Sequence, residues 1–201
     1  MHRKRGRSTY NIYVAIYNKK HKFLLSHVSK CGGTAIMNGL KEVVKEPSIE
    51  LPSHSMLDYI NKCIEKEDQN PKEYKKITLV RNPWDRAVSL YYHMIGYEKR
   101  MIPNEKGGKV KFEGNFDDFL NLMTPVPENH YEKFGYVISF ENLQVGFNFM
   151  CKELGLKQVK LKKFDYNTGR PKDYRSMYNK KSIDFIYNMN KDIIKKFNYT
   201  F

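Results

Sequence analysis

Residues 27–36 read HVSKCGGTAI, and this stretch joins a short apolar run to a segment with helical spacing. Gly32 and Gly33 allow the backbone to take positive φ and to approach a ligand closely, so that successive amides can line an anion site. Lys30 and Thr34 add a cation and a hydroxyl donor, which favours this interpretation over an ordinary tight turn. Because the lysine precedes the glycines, the stretch differs from the triphosphate-binding pattern G-x-x-x-x-G-K-[ST].

A second strand, turn and helix surround residues 81–85, RNPWD. The preceding KKITLV is typical of a strand, and Asn82 is a plausible cap for the helix that follows. Arg81 leaves the strand end, and Ser89 lies two turns into the helix. Arginine can grip a phosphate with two N–H donors, and serine can add a hydroxyl. The alternative is an ion pair between Arg81 and Asp85, and spacing alone favours neither.

The rest of the chain also alternates strands with helices, which predicts a three-layer α/β/α fold with a mainly parallel sheet. Ligands of such folds bind at the carboxyl ends of the strands, where both motifs lie. We expect one domain over residues 1–201, with a basic and flexible segment at residues 1–9. Further predicted elements are strands in NIYVAIY, KFLLSHV and YVISF, a helix from Thr34 to about Glu46, a helix after a capping box of Ser55 and Asp58, a helix ending at Gly155, a long loop over residues 96–116, and a closing amphipathic helix from Asn179 to about Phe197.

Composition limits the possible function. The net charge of +14 attracts polyanions and steers small anions toward the surface. The longest apolar runs are far shorter than the roughly 18 residues of a membrane span, and no apolar segment follows the basic residues at the start. We therefore expect a soluble, cytoplasmic protein without a membrane span. The three cysteines form no C-x-x-C pair, so the sequence predicts no metal.

SKCGGT, followed some fifty residues later by LVRNPWDRAVSLYY, resembles the paired signatures of sulfotransferases that use 3′-phosphoadenosine 5′-phosphosulfate (PAPS). The likeness is greatest to the branch that contains the carbohydrate O-sulfotransferases of the heparan and chondroitin type. It covers most of the chain, since ISFENL and KKFNYTF are also similar to later segments of that branch. One departure is Ser29, where the family usually has proline. The resemblance implies the sulfotransferase version of the P-loop NTPase fold.

The resemblance also implies roles for individual residues. PAPS would be the sulfuryl donor, a carbohydrate hydroxyl would be the acceptor, and no metal would be needed. An arginine and serine pair matching Arg81 and Ser89 would bind the 3′-phosphate. Apart from the resemblance, the basic stretch NTGRPKDYRSMYNKK could close over the nucleotide, so that Arg170 or Lys172 contributes to donor binding, and the alternative is a solvated basic loop. Lys30 would also act in catalysis by stabilising the leaving phosphate. The residues that would hold the 5′-phosphosulfate are Lys30, Cys31, Gly32, Gly33, Thr34 and Ala35.

An acceptor hydroxyl needs a general base, for which histidine is the usual choice. We predict His54, because it lies between the two donor-binding motifs ahead of a helix, where this branch commonly has a histidine. Glu98 is a weaker candidate. His27 fits a packed strand residue, and His93 fits a helix surface or the edge of the core.

Two other functions are compatible with parts of the pattern. A nucleotide kinase would share the strand, anion loop and helix, but it needs a lysine after the glycines and an acidic magnesium ligand, and neither is evident. A non-enzymatic nucleic-acid or polyanion binder would explain the charge and the interleaved lysines and tyrosines. We rank both below the enzyme and do not expect nucleic acid as a partner.

Overall fold

The computed structural model of the chain describes residues 13–51, 57–96, 101–103, 109–127, 129–162 and 169–201. The described residues form two compact units. The sheet unit comprises described residues within 13–81 and 127–162, and the helical unit comprises those within 82–126 and 169–201. The prediction of one domain stays a prediction, and its flexible segment at residues 1–9 lies outside the described residues.

The sheet unit is built on a mixed five-stranded sheet. Across the sheet, the strands follow the order β3 (Ile49–Leu51), β1 (Tyr13–Asn18), β2 (Phe23–Val28), β4 (Lys75–Val80) and β7 (Tyr136–Ser139). Strands β2, β4 and β7 are parallel, whereas β1 pairs antiparallel with β2 and with β3. The three parallel strands therefore end side by side at one edge. The helices of this unit are α1 (Gly33–Val43), α2 (Leu57–Glu65) and α5 (Leu143–Glu153).

Helices cover both faces of this sheet. On one face, the buried side of α2 packs with alternate residues of β1, including Ala15 and Tyr17. On the other face, α5 lies so close to β7 that a methyl group at Gly146 would be 2.4 Å from Ile138. Helix α1 meets α5 at Gly39, beside Phe147. The predicted α/β class with helices on both faces of the sheet is confirmed.

An extended segment after α5 is held by one side-chain amide. Gln144 donates to the carbonyl of Val159 at 3.0 Å and accepts from the amide of Leu161 at 2.7 Å. The Leu161 side chain reaches Gly39 of α1, where it would lie 2.6 Å from an added methyl group. This segment thus ties α1 to α5 without forming a strand.

The helical unit has an aromatic core of its own. Trp84, Phe116 and Phe119 are buried with side chains from all its larger helices. Asn82 caps α3 as predicted, because its side chain accepts from the amides of Trp84 and Asp85 at 3.1 and 3.5 Å. The elements of this unit are α3 (Pro83–Ile95), β5 (Met101–Pro103), β6 (Lys109–Lys111), α4 (Phe116–Leu120), α6 (Lys180–Met189) and α7 (Lys191–Lys196).

Two predicted elements were wrong. The segment expected to be one long loop contains the antiparallel pair of β5 and β6, whose three-residue strands are too short to show a clear alternation. The single closing helix is divided into α6 and α7 at Asn190. The Asn190 side chain donates to the carbonyl of Ile186 at 3.0 Å, which satisfies one of the last carbonyls of α6.

The other predicted helices are close to those observed. Helix α1 begins one residue before Thr34 and ends at Val43 instead of near Glu46, and α5 ends before Gly155 at positive φ, as expected. Ser55 of the predicted capping box lies outside the described residues. Within the described residues, no helix is both long and apolar enough to cross a membrane.

Candidate functional site

The loop between β2 and α1 has an unusual backbone. Lys30 has φ of +69° and Gly32 has φ of +90°. A non-glycine residue in the left-handed region costs roughly 1–2 kcal/mol, so neighbouring contacts must hold Lys30 there. Alternation of left-handed and other residues turns successive amides toward one concave side, which is a common way to bind anions. The Cys31 side chain is fully buried, which leaves its backbone to serve such a site.

The N-terminal end of α1 is also suited to binding an anion. Gly32 stands at the cap position without a side chain to satisfy the helix amides, and the first turn has no acidic residue. The amides of Ala35 and Ile36 donate to the carbonyl of Gly32 at 3.1 and 3.3 Å. Among the described residues this leaves the amides of Gly33 and Thr34 as donors at the positive end of the helix. The exposed Thr34 hydroxyl adds a further donor.

Arg81 joins this loop from the end of β4. Its Nη1 donates to the carbonyl of Lys30 at 2.8 Å, and its side chain is almost completely buried. The guanidinium carbon lies 3.7 Å from the centre of the Phe140 ring. The structure therefore brings Lys30 and Arg81 together at the carboxyl edge of the sheet, as the two motifs predicted.

A buried histidine packs against the start of α1, directly after the loop. His27, at 4% exposure, directs Nε2 at the Cα of Gly33, because a methyl group there would lie only 1.9 Å from that nitrogen. The ring Nδ1 lies 2.9 Å from the carbonyl of Val28, so it carries the proton and donates. Nε2 is buried and has no hydrogen-bond partner among the described residues. The prediction of a packed strand histidine is confirmed, and burial lowers its pKa below the ordinary 6.5.

We expect His27 to make the protein less stable in mild acid. The unfolded chain binds a proton at His27 near pH 6.5, whereas the folded chain resists it. The free energy of unfolding therefore keeps its full value above pH 6.5. It decreases as the pH is lowered further, by up to about 1.4 kcal/mol per pH unit. Urea unfolding at pH 7.5, 6.5 and 5.5 measures this decrease, and the His27→Asn variant should not show it.

Carboxylates do not obscure this test. A hydrogen bond from Lys20 lowers the pKa of Glu46 from 4.5 to about 2. Carboxylates with a lowered pKa therefore change the free energy of unfolding only below about pH 4.5. Equal pH slopes for the wild type and His27→Asn between pH 7.5 and 5.5 would contradict the assignment.

The remaining predicted donor residues lie in the helical unit. Ser89 is half-buried on α3, and Lys172 is exposed. Arg170 forms an ion pair with Asp85 in the first turn of α3. The donor-binding roles of Ser89, Arg170 and Lys172 stay predictions.

Both predicted bases, His54 and Glu98, lie outside the described residues. Of the described residues, no group of three or more His, Cys, Asp and Glu side chains is arranged to hold a metal ion. The expectation of metal-free chemistry stays a prediction.

Sequence reasoning missed two contacts of the loop. The sequence marks Phe140 only as part of ISFENL, although its ring touches both Arg81 and Gly32. The signal that could have found it is its position directly after a strand that ends beside β4. The contact of His27 with Gly33 has no signal in the sequence, because it depends on how the imidazole crosses the turn.

The fold is that of an α/β protein, and the loop between β2 and α1 is a candidate anion site at the carboxyl edge of its sheet. Residues 14–200 match the sulfotransferase family, and the chain belongs to that family. The comparisons with curated proteins and with solved structures give no match. Membership makes the chain a transferase of sulfur-containing groups, and it implies PAPS as the donor.

Proposed function

We propose that the chain transfers the sulfuryl group of PAPS to a hydroxyl of a carbohydrate acceptor by in-line displacement. The observation that carries this proposal is the loop of Lys30 to Gly33. It opens α1 without a side-chain cap and is bound through the Lys30 carbonyl by Arg81. Such an arrangement offers the amide donors and the lysine of the loop to one anionic group and places the arginine beside them for a second one.

The loop residues would hold the 5′-phosphosulfate. The amides of Gly33 and Thr34 and the Thr34 hydroxyl supply neutral donors, and Lys30 supplies the charge. Arg81, with Ser89, would bind the 3′-phosphate, and Arg170 and Lys172 would support the nucleotide. The lack of acidic side chains in the first turn of α1 fits a ligand with several negative charges.

Sulfuryl transfer resembles phosphoryl transfer in having a loose transition state, with negative charge growing on the leaving oxygen. When bound, PAPS supplies the sulfuryl group and a phosphate as the leaving group. Lys30 and the loop amides stabilise the growing charge, because fixed donors in a protein need not reorganise during the reaction. His54 would take the proton of the acceptor hydroxyl, since histidine has an ordinary pKa near working pH.

A carbohydrate acceptor rests on the resemblance to one branch of the family and on the charge of the chain. A net charge of +14 suits an acidic saccharide as well as the anionic donor. The family match favours sulfuryl transfer over the nucleotide kinase and the polyanion binder.

The donor site can be tested with 3′-phosphoadenosine 5′-phosphate, the nucleotide product. We expect micromolar binding by isothermal titration calorimetry, with a clear preference over ATP. Lys30→Ala and Arg81→Ala should each weaken it by about tenfold or more, because each removes a charged donor worth roughly 1.5–3 kcal/mol. Lys41→Ala is the matched control, since it removes an exposed lysine from the far end of α1.

Circular dichroism of each variant establishes that the fold is kept. A folded wild type that binds neither nucleotide would contradict the proposal. The polyanion binder would then be tested by titrating oligonucleotides at several salt concentrations, where many phosphate contacts give a steep dependence.

A further inference from the structure

Phe140 follows β7 directly and opens the short 3₁₀ turn Phe140–Asn142. The strand order places the end of β7 beside the end of β4, from which Arg81 extends. The residue is half-buried, and no part of the proposed mechanism uses it.

The ring of Phe140 contacts both parts of the anion site in the sheet unit. One contact is the face of the ring, which the guanidinium carbon of Arg81 approaches to 3.7 Å. The other is the ring edge, because a methyl group at Gly32 would lie 3.0 Å from its Cδ2. Leu143 completes this apolar support, with its Cδ2 also 3.0 Å from that methyl position.

These contacts form one continuous set. Phe140 supports Arg81, Arg81 binds the carbonyl of Lys30, and Lys30 is held in a left-handed conformation that it would otherwise avoid. A buried guanidinium on an aromatic face is restricted to a narrow range of orientations, and the cation–π attraction is strongest when water is excluded.

We propose that Phe140 is a positioning residue of the donor site, which holds Arg81 and Gly32 in register for binding the two anionic ends of the nucleotide. This inference rests on the proposed function for its effect on the donor. The geometric part, that Phe140 orders the loop, holds for the protein without any ligand.

The first test measures the loop alone. Hydrogen–deuterium exchange of the ligand-free chain is followed for peptides covering residues 29–35. Phe140→Leu should raise the exchange rate there about tenfold, whereas Phe140→Tyr, which keeps the aromatic face, should stay within about twofold of the wild type. Phe134→Leu is the matched control, because Phe134 is a buried ring of the same unit that contacts His130.

The second test measures the donor site. Phe140→Leu should raise the Kd for 3′-phosphoadenosine 5′-phosphate about tenfold, and Phe140→Tyr should keep the Kd of the wild type. Phe134→Leu should lower the urea midpoint and leave that Kd unchanged. A KM for PAPS that rises with kcat changed less than threefold is the expected kinetic result for Phe140→Leu.

The outcomes separate the two proposals. If the wild type fails to bind the nucleotide while exchange in residues 29–35 responds to Phe140→Leu, the proposed function fails and the positioning role stands. If exchange in residues 29–35 is the same for Phe140→Leu and Phe134→Leu, the positioning role is overturned.

Discussion

Lys30→Ala is expected to reduce kcat for sulfuryl transfer by about 10²- to 10³-fold, the range found when one preorganised donor to a developing negative charge is removed. The effect is large because Lys30 lies in the loop that opens α1, where its backbone is fixed by Arg81. The charge of Lys30 would therefore meet the leaving phosphate without reorganising.

The measurement follows transfer from sulfur-labelled PAPS to a panel of unsulfated and undersulfated oligosaccharides. Lys30→Arg keeps the charge and should retain more activity than Lys30→Ala, and Lys41→Ala should retain wild-type activity. A kcat for Lys30→Ala within tenfold of the wild type would show that the lysine does not assist the reaction.

Gly33→Ala is expected to lower the free energy of unfolding by about 3 kcal/mol, which is the upper end of the usual cost of overpacking. The added methyl group would lie 1.9 Å from His27 Nε2 and 2.0 Å from its Cε1, so the imidazole or the start of α1 must move. Alanine is otherwise the better residue in a helix by about 1 kcal/mol, so a loss can be assigned to the clash. Because the first turn of α1 is displaced, nucleotide binding should weaken in parallel.

A double-mutant cycle makes this test specific. His27→Ser removes the ring, so Gly33→Ala should cost at least about 1 kcal/mol less in that background than in the wild type. Gly135→Ala is the control, since its nearest atom would be a backbone oxygen at 4.0 Å. Additive losses in the cycle, measured by urea unfolding, would contradict the steric explanation.

Local features of the chain were predictable because their causes are local. The glycine pair after an apolar run marked the anion loop, and Asn82 before Pro83 marked the start of α3. Both depend on residues within a few positions of each other. The break at Asn190 is also local, but a continuous apolar stripe hid it, since Ile186, Ile193 and Ile194 stay buried on both sides of the break.

Features that depend on distant pairing were not predictable. The position of Phe140 against Arg81 follows from β4 and β7 being neighbours, and 55 residues separate Val80 from Tyr136 in the sequence. The ion pair of Asp85 with Arg170 is equally a long-range result. The role of each residue in binding stays a prediction until the variants are measured.

The insertion of residues 82–126 between β4 and β7 affects how the chain can fold during synthesis. Strand β4 carries buried side chains at Ile77, Leu79 and Val80, and β7 adds to it only after the insertion has been made. Until then the nascent sheet has an apolar edge with unpaired backbone groups, which is a template for aggregation. Recombinant chains truncated between residues 82 and 135 should therefore be insoluble, whereas chains that extend past Ser139 can close the ladder.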